Sequence, residues 1–152
     1  MTTAEATLRL ATAADAPAIA AIIAQIMQEP NPVGFREAMS GDQVAGWLRR
    51  LGDQGCLYVA EVGGQIVAFA ALDYNTEEPD TGTIGVWVLP EQRRRGLATQ
   101  LGECALDFAR EHGYRRVRGR LPENNAPALS FLSALGALVP LQNPEMRFEL
   151  PL

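Results

Sequence analysis

Two adjacent glycines between two β-rich runs constrain the fold of this chain most strongly. Residues 56–62 and 65–72 are dominated by apolar and β-branched side chains, and only Gly63 and Gly64 separate them. Glycine readily adopts the positive φ angles that a two-residue hairpin turn requires. A third β-rich run, residues 83–89, follows after the polar connection 75–82. The sequence therefore predicts successive antiparallel strands.

Helical segments surround these strands along the chain. Apolar residues recur at three- and four-residue spacing in four segments, residues 19–27, 44–51, 97–108 and 128–135. Thr12 with Asp15 and Ser40 with Gln43 form capping boxes that predict where the first two helices begin. Gly113 suits the left-handed end of the third helix, whose buried stripe is expected to hold Leu97, Leu101, Cys104 and Phe108.

Further strands are predicted at residues 7–11, 116–121, 138–141 and 146–150. The expected order is β-α-α-β-β-β-α-β-α-β-β. We see no repeat or linker, so we expect one α/β domain over residues 1–152, with helices flanking a mixed, mostly antiparallel sheet.

The charges of the chain are distributed unevenly. The net charge is -5, yet residues 93–120 hold eight arginines and three acidic residues. A basic patch on an acidic protein favours a small anionic ligand over a long nucleic acid, which would be repelled elsewhere on the surface. Aromatic residues are also nearly absent from the patch, so we expect no nucleic-acid partner. The chain has no lysine, which excludes Schiff-base catalysis and a phosphate-loop lysine.

Several other classes of protein are disfavoured. No apolar run reaches the ~20 residues of a membrane-spanning helix, and residues 1–6 lack the basic and apolar parts of a secretory signal. We therefore expect a cytoplasmic protein without a membrane partner. Cys56 and Cys104 are predicted to be reduced, buried thiols. His112, the single histidine, is predicted to cap a helix, and no metal site is expected.

The most specific segment runs from Val86 to Ala98, where a strand passes through a turn directly into a helix. Turn amides and the first N–H groups of the helix point outward together, and the helix dipole adds positive potential there. Gly96 lets a phosphate approach the backbone, and the neighbouring arginines can clamp phosphate oxygens through paired hydrogen bonds. The segment is therefore predicted to cradle an anion.

At these residues the chain resembles the GNAT superfamily of N-acetyltransferases. Residues 93–98, Arg-Arg-Arg-Gly-Leu-Ala, fit the Q/R-x-x-G-x-G/A pyrophosphate motif of that superfamily. Asn125, Ala128, Phe131 and Gly136 resemble its N-x-x-A-x-x-F/L-Y-x-x-x-G-F segment. The predicted order of elements also fits the superfamily from end to end.

The resemblance implies an enzyme that moves an acetyl group from acetyl-CoA to a primary amine of a small molecule, amino acid or peptide. Backbone groups of Val86 and Val88 would pair with the pantetheine arm as an added strand, and the amide of Val88 or its neighbour would polarise the thioester carbonyl. The residues it assigns to the coenzyme are Val86, Trp87, Val88, Arg93, Arg94, Arg95, Gly96, Leu97, Ala98, Thr99 and Asn125.

The chain departs from the superfamily at both familiar proton carriers. Leu132 stands where a tyrosine usually protonates the thiolate, and Arg120 stands where many relatives acting on protein amino termini have a glutamate. Glu78, Asp80 and Glu123 are the remaining candidates for the base, acting through water. A second hypothesis is therefore a catalytically weak or inactive module that binds acetyl-CoA and regulates a partner.

Three points stay open in the sequence. Tyr58 and Tyr74 are predicted to be half-buried packing residues rather than acids. The alternating Arg116, Arg118 and Arg120 form either a solvated face or a site for a substrate carboxylate. The oligomeric state is also open, and a homodimer is one of the states allowed.

Overall fold

A six-stranded sheet runs through the part of the chain that the computed structural model describes, residues 6–29, 37–93, 96–120 and 147–152. The strands are β1 Thr7–Leu10, β2 Cys56–Val62, β3 Gln65–Tyr74, β4 Thr81–Val88, β5 Arg116–Arg120 and β6 Arg147–Pro151. They neighbour one another in chain order, and every pair is antiparallel except β4 with β5. The predicted mixed, mostly antiparallel α/β fold is therefore confirmed.

The glycine pair forms the predicted hairpin turn. Gly63 and Gly64 have φ angles of 58° and 80°, which glycine adopts at little cost. β2 and β3 pair on both sides of the turn, starting from Val62 opposite Gln65. Relative to the prediction, β3 continues to Tyr74 and β4 begins at Thr81, which lengthens both strands at the expense of the polar connection.

Two helices, α1 Ala16–Ile26 and α2 Gly41–Leu51, cover one face of the sheet. Both predicted capping boxes are present: the Ser40 hydroxyl accepts the Gln43 N–H at 3.1 Å, while the Asp15 carboxylate accepts the Thr12 N–H at 2.8 Å. The core on this side packs both helices against alternate residues of the central strands. The helices contribute Ile19, Ile23 and Val44, among others, and the strands contribute Leu57, Val59 and Phe69.

A third helix, α3 Leu97–Glu111, covers the opposite face. Its predicted buried stripe needs correction, because Cys104 and Phe108 are only half-buried. The fully buried face instead carries Ala105 and Ala109, with Leu97, Leu101, Gly102 and Leu106. The buried face thus combines three leucines with small residues, which let the helix backbone approach the sheet closely.

The fourth predicted helix and the predicted strand at residues 138–141 lie outside the described residues. The closing strand was predicted at 146–150 and is β6, one residue further along at each end. Among the described residues, no helix has both the length and the apolar character needed to span a membrane.

Candidate active site

β4 leads through a short turn directly into α3. The strand ends at Val88, a 3-10 turn covers Pro90–Gln92, and α3 begins at Leu97. A proline fits the first position of such a turn because its missing N–H would have no partner there. The N–H of Leu89 donates to the Val67 carbonyl on β3 at 3.0 Å, which fixes the turn to the sheet. The described parts of the segment predicted to cradle an anion, residues 86–93 and 96–98, are therefore the end of a strand, a turn and the start of a helix.

Gly96 makes the start of α3 accessible. Its φ of 79° lies in the left-handed region, which residues with a Cβ adopt only at a cost. A Cβ built there would have its nearest described atom, the Gln100 side-chain nitrogen, at 3.9 Å. Because glycine has no side chain to cap the helix, the first-turn N–H groups keep their partial positive charge facing outward. Ala98 and Thr99 are exposed at this turn, and the arrangement suits an anionic group.

The two sides of β4 are paired over different lengths. Its register with β3 runs from Gly82 to Val88, whereas its parallel register with β5 runs only from Thr81 to Thr83. β4 thus continues to Val88 beyond its last pair with β5, and Val86 lies within this continuation. These are the backbone positions that the resemblance assigns to the pantetheine arm.

The Trp87 side chain packs within the protein. Its indole stacks on the Phe69 ring with centroids 4.8 Å apart, on the face covered by α1 and α2. It also lies across Gly85, where any Cβ would overlap the indole ring. Gly85 therefore allows the indole to lie flat on the sheet. The described contacts of Trp87 are with the core, so its assignment to the coenzyme concerns its backbone.

The Arg93 guanidinium joins three parts of the structure. Nη1 and Nη2 donate to the two carboxylate oxygens of Glu29, each at 2.8 Å. Nε donates to the carbonyl oxygen of Val88 at 3.1 Å. Glu29 lies in the turn that follows α1, so the Arg93 side chain connects that turn, the end of β4 and the turn before α3.

An acid-arginine network lies where the β3-β4 connection meets β5 and β6. The network consists of five side chains: Glu78, Asp80, Arg116, Arg118 and Glu149. Glu149 bridges the two arginines through their Nε atoms, at 3.2 Å from Arg116 and 3.7 Å from Arg118. Arg118 also pairs with Glu78, and Arg116 pairs with Asp80 at 3.5 Å. Arg116 and Arg118 of the predicted arginine face are thus ion-paired, and the two described base candidates each contact an arginine.

The remaining titratable candidates are held in the fold. His112 ends α3, where its Nδ1 lies 2.8 Å from the Phe108 carbonyl and its ring stacks on Phe108, in line with the predicted cap. Burial raises the pKa of the Tyr58 hydroxyl, and the Tyr74 hydroxyl donates to the Arg50 carbonyl at 3.4 Å. Burial also raises the pKa of the Cys56 thiol to about 12.

Several predicted site residues fall outside the described residues. They are Arg94, Arg95, Glu123, Asn125 and Leu132, and the side chain of Arg120 is likewise not described. Cys104 is half-buried rather than buried, and burial raises its thiol pKa. In the described part of the chain, no group of three or more His, Cys, Asp or Glu side chains is arranged to hold a metal ion.

Sequence reasoning missed the partners of the arginines. Glu29 lies 64 positions from Arg93, and no local pattern connects them. For Glu149 the sequence gives only a weak indication of a polar contact: the alternation of charged and apolar residues in β6 places it on the polar face. Its contact with Arg116 and Arg118 required knowledge that β5 and β6 pair.

Comparison with known proteins identifies the class of this chain. The family model described as acetyltransferase (GNAT) family matches residues 20–137, which is most of the chain. This chain therefore belongs to the GNAT acetyltransferase family. An uncharacterized N-acetyltransferase of Methanocaldococcus jannaschii is 33% identical over 95 residues, which cover 59% of this chain and 42% of that protein. The chain thus spans about two fifths of the length of this curated relative.

Solved structures share the fold at lower sequence identity. A ribosomal-protein-alanine N-acetyltransferase from Brucella melitensis is 20% identical with a TM-score of 0.81, over 96% of this chain and 99% of that one. A phosphinothricin acetyltransferase from Sinorhizobium meliloti, solved in complex with acetyl-CoA, is 20% identical with a TM-score of 0.77, over 97% of this chain and 88% of that one. At this identity the likeness establishes the fold alone.

Proposed function

We propose that this chain transfers an acetyl group from acetyl-CoA to a primary amine. The observation that carries the proposal is the path from β4 through the turn to the left-handed Gly96 and the open start of α3. It combines a strand edge for an extended ligand with a helix start for an anion. Coenzyme A contains both kinds of group, an extended pantetheine arm and an anionic pyrophosphate. The acetyl-CoA complex of the phosphinothricin acetyltransferase, which shares the fold, supports the proposal.

The end of β4 and the start of α3 each bind a different part of the coenzyme. Backbone groups of Val86 to Val88 hold the pantetheine arm, and the first-turn amides of Leu97 to Thr99 hold the pyrophosphate. Arg94 and Arg95 supply positive charge, and Asn125 contacts the pantetheine. The Val88 amide stabilises the negative charge that develops on the thioester oxygen during attack.

Transfer proceeds by direct attack of a neutral amine on the thioester carbon. A C–N bond forms, the C–S bond breaks, the electron pair leaves on sulfur as the thiolate, and the attacking nitrogen loses one proton to water to give the neutral amide. A thiol has a pKa of about 8.5, roughly two units below that of a typical amine, so the thiolate departs without a dedicated acid. With leucine at position 132, the rate then depends on orientation and carbonyl polarisation.

Removing the ammonium proton is the harder step. Glu78, Asp80 and Glu123 remain our candidates for the base, acting through water. The carboxylates of Glu78 and Asp80 are already paired with Arg118 and Arg116. We therefore propose that these two acids mainly attract and orient a cationic amine. The network supports this role because its five side chains, three carboxylates and two guanidinium groups, carry a net negative charge.

A regulatory acetyl-CoA-binding module is the second candidate function. Two observations favour it: position 132 carries no hydroxyl, and both described base candidates are paired with arginine. The acceptor amine is not specified by the fold, because the relatives that share it are named for a ribosomal-protein alanine and for phosphinothricin. Cytoplasmic location, a homodimer and the extent of a single domain remain predictions.

A transfer assay separates the two functions. Purified protein is incubated with acetyl-CoA and a panel of amines, amino acids and peptides, and acetylated products are measured by mass spectrometry from pH 7 to 9. We expect product with at least one amine and a rate that rises with pH as free amine accumulates. Acetyl-CoA binding without transfer to any amine at pH 9 would instead support the regulatory module.

The upper pH limit of the assay follows from Cys56. Burial raises its pKa from 9.0 to about 12 in the folded protein. Because the pKa of the thiol is higher in the folded than in the unfolded protein, the neutral thiol contributes its full share to the free energy of unfolding below pH 9. This contribution is lost progressively as the pH rises toward 12. Lost stability therefore adds to any change in chemistry above pH 9, and circular dichroism at each pH distinguishes the two.

A further inference from the structure

Arg93 occupies the first position of the pyrophosphate motif, yet its guanidinium is already engaged by other groups of the protein. Three of its nitrogen atoms donate hydrogen bonds, two to Glu29 and one to the Val88 carbonyl. The contact with Glu29 is bidentate, which fixes the plane of the guanidinium as well as its position. The positive charge of Arg93 is therefore paired before any ligand arrives.

The groups that Arg93 connects belong to different parts of the fold. Glu29 is held in the turn after α1, where its N–H donates to the Ile26 carbonyl at 3.0 Å. Val88 is the last residue of β4 and the site of the proposed oxyanion contact. If Arg93 turned toward a phosphate, the Val88 carbonyl would lose its donor and the Glu29 carboxylate would face a second anion nearby.

We propose that Arg93 is a positioning residue and does not bind phosphate. With Glu29 it holds the end of β4 and the following turn, so that the amides from Gly96 onward meet the pyrophosphate in the required geometry. The inference rests on the proposed function, because it assigns how the acetyl-CoA site of that function is kept in place. It differs from the motif-based expectation, in which the arginine clamps the phosphate itself.

The substitution Glu29→Gln distinguishes the two roles by the sign of its effect. Removing a negative charge near a phosphate site should tighten acetyl-CoA binding if Arg93 is thereby released to the phosphate. If Arg93 positions the turn, Glu29→Gln should weaken binding by about two- to fivefold, as expected for a partly exposed ion pair. Binding is measured by isothermal titration calorimetry of the full chain with acetyl-CoA.

Two further variants complete the titration experiment. Arg93→Gln should weaken binding by a similar factor, and the double variant should be no worse than Arg93→Gln alone, because both substitutions break one pair. Asp107→Asn is the matched control: it removes one negative charge from the exposed Asp107–Arg110 pair of α3 and should leave affinity unchanged. Unchanged or tighter binding by Glu29→Gln, together with a loss of tenfold or more in Arg93→Gln, would overturn the inference.

A measurement without ligand keeps this inference separate from the proposed function. The amides of Gln92 and Arg93 donate to the carbonyls of Leu89 and Pro90. In hydrogen exchange of the ligand-free protein, Glu29→Gln should speed the exchange of these amides, and Asp107→Asn should not. If the wild type binds no acetyl-CoA, the proposed function fails and the exchange result still decides whether Glu29 and Arg93 hold the turn. Equal exchange rates in Glu29→Gln and the wild type would refute the inference that Glu29 and Arg93 hold the turn.

Discussion

The proposed coenzyme turn, whose described residues are 88–93 and 96–99, and the acid-arginine network use polar groups in opposite ways. In the turn, the start of α3 presents backbone N–H groups beside a glycine that leaves space for a ligand. In the network, five charged side chains contact one another across a loop and two strands. We propose that the turn meets an external anion, whereas the charges of the network are largely paired with one another.

This difference shows that a cluster of arginines does not by itself mark an anion site. Arg116 and Arg118 belong to the same basic segment as Arg93, yet their charge is balanced by Glu78, Asp80 and Glu149. What favours an anion at the turn is the backbone, whose helix dipole and left-handed glycine do not depend on a distant partner. Arg93 resembles the network residues in this respect, because Glu29 balances its charge.

The largest effect is expected from Gly96→Val. Acetyl-CoA at ~100 times its dissociation constant should stabilise the wild type by about 2.7 kcal/mol, and the substitution should abolish this shift by changing the backbone at the start of α3. Gly113→Val is the matched control, since Gly113 has a similar φ of 82° at the other end of α3. Thermal unfolding with and without acetyl-CoA measures both. A retained shift in Gly96→Val would remove the turn from the coenzyme site.

A smaller effect is expected from Glu149→Gln in the network. Because Glu149 bridges two partly exposed arginines, its loss should lower the free energy of unfolding by about 1 kcal/mol, and less at high salt. The stabilisation by acetyl-CoA should stay as in the wild type. Urea unfolding measures both quantities, with the exposed Glu103→Gln of α3 as control. A loss of coenzyme response would show that the two regions are coupled.

The smallest effect is expected from the pair Glu78→Gln and Asp80→Asn. If these acids steer the amine, kcat/KM for a cationic amine should fall about two- to fivefold at low salt and recover at high salt, with kcat nearly unchanged. The control neutralises two exposed acids of α3, Glu103→Gln with Asp107→Asn. A loss of about 100-fold or more in kcat would instead identify one of the network acids as the base.

The parts of the fold that could be predicted are those determined by neighbouring residues. The glycine hairpin, the Ser40–Gln43 cap and the strand, turn and helix around Gly96 each depend on a few consecutive positions, and the described residues confirm all three. The stripe of α3 was predicted less well. Helical spacing identified the helix, but whether Cys104 or Ala105 faces the sheet depends on how closely the helix packs.

The side-chain partners in the site could not be predicted, because they come from distant parts of the chain. Glu29 meets Arg93 only through the packing of α1 beside the end of β4. Glu149 meets Arg118 only through the register of β5 and β6. Local patterns thus located the proposed coenzyme site, while the charge balance around it required the tertiary structure.

Backbone amide NMR during a titration with acetyl-CoA tests the central claim most directly. If the turn and the end of β4 hold the coenzyme, the largest shift changes should fall on residues 85–88 and 96–99, with small changes at 78–80 and 116–118. Changes centred on 78–80 and 116–118, or none at either place with acetyl-CoA in excess, would contradict the account.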